Sequence, residues 1–135
     1  MSYSANAGRV RHLILIDSSS WIHLLRPRGD SDVRGRVQRA LEGGEACWCA
    51  MVRLELWNGA GGDHEKKVLR DFERVLPELP IDDAVWRRAY DLARRARAAE
   101  VAVPATDLLI AACARHHGAE LEHSDSDFAQ LSKLN

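Results

Sequence analysis

Residues 13–16 read Leu-Ile-Leu-Ile, apolar at every position, and the run stops on Asp17 and three serines. A strand with one face in water alternates apolar and polar residues. A run without alternation has to be covered on both faces, which suits the centre of a parallel sheet. Residues 13–17 therefore read as a short buried strand. Because ligand crevices in such sheets lie beyond the carboxyl ends of the strands, Asp17 is placed at a crevice.

The rest of the chain supplies helices to cover that sheet. Ser18–Leu25 reads as a helix with a serine hydroxyl available to cap it, and Pro and Gly make 26–32 a loop. Val33, Val37, Ala40 and Leu41 recur at helical spacing, ended by Gly43 and Gly44. Ala46–Cys49 is a second strand, followed by a helix over 50–60 with Met51, Leu54 and Trp57 on one side. The segment 63–76 is amphipathic, with Val68, Leu69, Phe72, Val75 and Leu76 as its inward stripe. A third strand is expected within 78–82, then a helix over 82–100 with Val85, Ala89, Leu92 and Ala96 inward. Pro104 opens a nearly all-apolar helix over 103–118 that Gly118 closes. A weak fourth strand (119–123) and a short helix (125–133) finish the chain. Strands alternating with helices predict an α/β fold with right-handed crossovers, and 135 residues make one domain.

Several functional classes drop out. No apolar run approaches the roughly 20 residues that span a bilayer. Residues 1–12 lack the apolar core of a signal peptide, so no membrane association and a cytoplasmic location are expected. Cys47, Cys49 and Cys113 are too few and too irregular for a disulfide framework and are expected as buried free thiols. A zinc site from cysteines with His116 and His117 lacks any supporting C-x-x-C pair. A nucleotide-binding module needs a glycine-rich loop after the first strand, and this chain has Asp-Ser-Ser-Ser there. The net charge of −1 conceals segregation: residues 1–39 hold seven Arg against three Asp, whereas 120–135 hold four acids and one Lys. Arg dominates Lys 16 to 3, which favours an anionic ligand, because its planar fork grips two phosphate oxygens.

Most acids fall on polar helix faces or in loops, but five do not. Asp17 ends the buried strand, and Glu55 lies between Leu54 and Leu56. Asp107 opens the most apolar helix, and Asp125 and Asp127 follow the last strand. Singly, each has an ordinary reading as a helix cap, a first-turn acid or an exposed residue. Together they occupy strand ends and helix starts, which converge at one edge of an α/β sheet. Crowded carboxylates repel unless a cation neutralises them, and oxygen-only ligands select Mg²⁺ or Mn²⁺. Metal-dependent hydrolysis of a phosphodiester is the chemistry that follows.

Four segments, "LILIDSSSWI", "RLELWNG", "PATDLLIAACA" and "HSDSDF", occur in an order and spacing that resembles the PIN-domain ribonucleases, in particular the VapC-type toxins of type II toxin–antitoxin pairs. The resemblance runs from Leu13 to about Leu131. It implies a three-layer α/β/α sandwich with a central, mainly parallel sheet of four to five strands. Residues 13–135 would be one PIN domain, with 1–12 a flexible basic arm carrying Arg9 and Arg11. It implies that Asp17 and Asp107 ligate Mg²⁺ or Mn²⁺, that Glu55 supports the metal or its water, and that Asp125, Asp127 or both complete the pocket. Ser19 would hydrogen-bond inside the site. Capping of the first helix is then left to the serines. An RNA substrate, a cognate antitoxin lying across the groove and a homodimer are implied as partners, with Trp21, Trp48 and Trp57 as candidates to line that groove. The chain departs from the family at His123, where members often carry Thr; His there suits either a phosphate contact or a partly buried structural role. The alternatives are a PIN-like nuclease outside a toxin pair, acting on other RNA or on DNA, and a catalytically silent PIN-like binding module.

Overall fold

The computed structural model describes residues 12–134. The expected arm therefore falls outside the described residues except for His12, whose ring meets Glu120 at 3.1 Å.

Among the described residues, four strands alternate with seven helices: β1 (Ile14–Ile16), α1 (Ser18–Leu25), α2 (Ser31–Glu42), β2 (Ala46–Cys49), α3 (Ala50–Gly59), α4 (Asp63–Val75), β3 (Glu78–Leu79), α5 (Asp83–Ala98), α6 (Ala105–His116), β4 (Glu120–Glu122) and α7 (Ser126–Leu131). All strand pairs are parallel, in the order β3-β2-β1-β4. The expected α/β class and parallel four-stranded sheet are what the chain adopts. β1 has a neighbour on each side and no exposure at Leu15 or Ile16, which is why its sequence never alternates.

The strand order carries functional information. The chain steps outward from β1 to β2 to β3, then returns across the sheet to lay β4 on the other side of β1. With right-handed crossovers, that reversal sends α5 and α6 to the face opposite α1–α4. The β1/β4 boundary is thus the switch point where such sheets open a crevice. Asp17 follows β1 and Asp125 follows β4, so topology alone brings these two acids together.

Aromatic packing fills the core beneath. Trp21 from α1, Trp48 from β2 and Phe72 from α4 meet with ring centroids 5.0–6.4 Å apart. Trp21 and Trp48 are fully buried, so they do not line a groove as expected. Trp57 is half-buried and donates its indole N–H to Glu73 at 3.1 Å. On α5 the inward stripe is Val85, Ala89, Leu92 and Ala96, as the spacing predicts. Two apolar residues expected inside lie outside. Leu54 is 60% exposed, because α3 buries the i, i+4 pair Val52 and Leu56, roughly half a turn away from it. Val75 is 70% exposed, because α4 ends there and the extended Leu76 turns inward in its place. All three cysteines are buried free thiols. Among the described residues, no helix is long and apolar enough to cross a membrane.

Candidate active site

The site begins with the backbone of Asp17. Its N–H donates to the Glu122 carbonyl at 2.9 Å, which ends the β1/β4 pairing, and its carbonyl accepts from Ser20 and Trp21 to start α1. Its side chain caps that helix, with Oδ2 accepting from the Ser19 N–H at 2.9 Å. The cap is the aspartate and not a serine, contrary to the expectation. Capping uses only one oxygen. Oδ1 of this 3%-exposed residue is buried with no donor among the described residues. An ionised carboxylate with a bare buried oxygen is costly unless a cation reaches it.

Asp107 presents the same condition from the opposite side. It lies in the first turn of α6, a helix whose N-cap, Pro104, offers no side-chain cap. Asp107 is 6% exposed, and its Oδ2 also lacks a donor. Burial, followed by the charges of Asp125, Asp17, Asp127 and Glu55, pushes its pKa up to about 7. All four other acids singled out in the sequence thus act on this one group.

The last two acids arrive with α7. Asp125 is its N-cap, and its Oδ1 accepts from the Asp127 N–H at 2.9 Å. One carboxylate oxygen from each of Asp107, Asp125 and Asp127 lies within 4.8 Å of the others, the one such acid group among the described residues. A cavity of about 190 Å³ opens beside them, lined by Asp17, Glu55, Asp107 and Asp125 among others. Asp127 belongs to the acid triplet without lining that cavity. Glu55 is positioned by Ser18, whose hydroxyl donates to Oε1 at 3.1 Å, and burial followed by the charge of Asp17 raises its pKa. Bare oxygens on two sides, a close acid triplet and the absence of sulfur or imidazole ligands fit a hard divalent cation.

Ser19 lines the cavity, and besides its N–H on Asp17 Oδ2 its hydroxyl accepts from the Ser124 N–H at 3.0 Å, so it ties α1 to the loop carrying Asp125. Ser18, the first residue of α1, holds Glu55 and was not singled out from the sequence. Glu122 and Ser20 were also missed. The fully buried Ser20 hydroxyl donates to Glu122 Oε2 at 2.8 Å, and Arg36 Nε donates to Glu122 Oε1 at 2.7 Å. Arg26 and Glu65 line the cavity too, and Arg26 is the one basic side chain among its lining residues. His123 packs its ring on Phe128 at 5.2 Å and lines a separate hollow, away from the acids. His116 and His117 stack edge to face and join no metal-binding group among the described residues.

Comparison with known proteins identifies the family and the fold. The family model for the PIN domain matches residues 14–134. The chain is 36% identical over 126 residues to the VapC ribonuclease Mb1587 of Mycobacterium bovis, covering 90% of this chain and 93% of that protein. It is 30% identical over 105 residues to ribonuclease VapC21 of Mycobacterium tuberculosis, covering 76% of each. Among solved structures, FitAB bound to the IR36 DNA fragment superposes with a TM-score of 0.71 at 19% identity, over 90% of this chain and 92% of that one. VapBC2 from Rickettsia felis, bound to a promoter DNA fragment, gives 0.70 at 11% identity over 87% and 92%. At such identities the two structures bear on the fold alone.

Proposed function

Since the chain belongs to the PIN-domain family, we propose that it is a divalent-metal-dependent endoribonuclease, the toxin of a type II toxin–antitoxin pair. The observation that carries the reading is Asp107. A buried carboxylate with a bare oxygen, surrounded by four more carboxylates, is a poor structural element and a good cation site.

Asp17, Asp107 and the Asp125/Asp127 pair would hold Mg²⁺ or Mn²⁺ through carboxylate oxygens. When bound, the ion supplies Lewis-acid stabilisation of phosphoryl charge and lowers the pKa of water. The chain's own groups do the rest. Ser18 fixes Glu55, whose raised pKa suits it to take a proton from an attacking water. Arg26, at the rim of the same cavity, would bind a phosphate oxygen of the RNA strand. The curated VapC relatives support RNA as the substrate, and the toxin reading carries a cognate antitoxin and a second copy of the chain as partners.

The test is cleavage of a tRNA and rRNA panel by the full chain with Mg²⁺ or Mn²⁺, with Asp17→Asn as the control. Asparagine keeps an oxygen for the α1 cap, so the variant folds, and cleavage falls at least about 100-fold. Wild-type rates from a folded Asp17→Asn protein would refute the mechanism.

A further inference from the structure

The five acids come from four helices, and two of the positions, the start of α1 and the start of α7, follow the adjacent strands β1 and β4. Asp17 leads α1, while Asp125 and Asp127 lead α7, and the loop 123–124 lies between β4 and α7. The bonds between these two positions converge on Glu122 and Ser124. The Asp17 N–H donates to the Glu122 carbonyl at 2.9 Å, and the Ser124 N–H donates to Ser19 Oγ at 3.0 Å. The single Ser20 proton goes to Glu122 Oε2 at 2.8 Å, so the Ser20–Ser124 contact at 3.0 Å has Ser124 as donor.

Glu122 is an odd choice for this position. Its side chain is 14% exposed and stands three residues before Asp125, where another negative charge adds to a crowded acidic region. Arg36, reaching from α2, neutralises it through Nε at 2.7 Å, with a second nitrogen at 3.4 Å. An apolar residue would seal the end of β4 as well. What a carboxylate adds is a two-sided acceptor, one oxygen for Arg36 and the other for Ser20.

We propose that Glu122, clamped between Arg36 and Ser20, is a positioning residue that sets the spacing of Asp125 and Asp127 against Asp17 and so tunes the divalent-metal affinity of the site. This rests on the metal-site reading above. It differs from a merely structural role because the lock joins the two acid-bearing helix starts and touches no acid side chain of the cluster itself. Direct hydrogen-bond partners of metal ligands typically control affinity by about 10- to 100-fold, and Glu122, one step further out, is expected at the lower end of that range.

The experiment is calorimetric titration of the metal-free full chain with Mn²⁺ alone, beside thermal melts. Glu122→Leu and Arg36→Met are expected to weaken Mn²⁺ binding by about tenfold or more in protein that remains folded. Glu122→Gln, which keeps an acceptor for Ser20, recovers part of the loss. Should Glu122→Leu fail to fold, Ser20→Ala removes the same bond with little change in volume and carries the same expectation. Variants that melt earlier yet bind Mn²⁺ with wild-type affinity would show Glu122 to be structural only and overturn the proposal. A wild-type chain that binds no Mn²⁺ would instead overturn the metal-site reading beneath it.

Discussion

Between about pH 4 and pH 7, Asp107 in the metal-free fold retains a proton that the unfolded chain releases. Its pKa rises from 3.8 to about 7, with burial the largest cause. The folded state therefore binds the proton more tightly, and stability from this group is complete below pH 3.8 and lost as pH climbs through about 7. Asp107→Asn removes the group from this equilibrium. The melting temperature of the metal-free variant, minus that of wild type, should be small near pH 4 and grow to a positive plateau above about pH 7. RNA cleavage by the same variant should be abolished at every pH. A difference that stays flat with pH would mean that Asp107 is not the strained acid of the site. Mn²⁺ competes for the same oxygens, so its affinity for wild type should fall as pH drops below about 7.

At the scale of elements, the turn between α1 and α2 shows a constraint that periodicity does not reveal. Arg34 donates to the Arg26 carbonyl, and the Asp30 N–H donates to His23 Nδ1 at 2.9 Å, folding the turn back onto α1. A Cβ on Gly29 would lie 1.8 Å from the His23 carbonyl oxygen, which is backbone and cannot swing aside. Gly29→Ala should therefore destabilise by about 1–3 kcal/mol, read by urea denaturation, because the turn has to open. Unchanged stability would mean that the turn is looser than its bonds imply. The sequence shows Gly29 only as a loop residue, because the clash depends on a neighbour six positions away. The same division runs through the site. Asp17, Glu55 and Asp107 stand out in the sequence because each interrupts or opens an apolar segment, and Asp125 and Asp127 because they follow the last strand. Ser18, Ser20, Glu122 and Arg36 do not, since each looks like an ordinary polar residue until β4 is laid beside β1. Leu54 and Val75 misled because periodicity over one or two turns cannot say which side of a short helix meets the core.

Over the whole molecule, charge is arranged against the expected substrate. The net charge is only −1, and the cavity that would meet a polyanion is lined by acids. A bound divalent ion cancels part of that charge, but approach of an RNA strand still requires cations at the rim. Arg26 is the basic residue of that lining, and its side chain makes no ion pair or hydrogen bond with the described residues. A guanidinium held on a braced turn and left unpaired beside carboxylates is placed to meet phosphate. Each phosphate contact on a single strand contributes about 0.7 to the slope of log affinity against log salt. Arg26→Ala should thus weaken binding of single-stranded RNA to Asp17→Asn protein, which cannot cut it, and reduce that slope by about 0.7. Because Arg26 ligates nothing, the Mn²⁺ affinity of Arg26→Ala in the otherwise wild-type chain should stay as it was. Removing the exposed Arg94, which pairs with Asp91 at 3.3 Å on α5, should leave the slope unchanged and serves as the control. An equal effect from both arginines would assign RNA attraction to the diffuse field of the protein and not to the rim of the site.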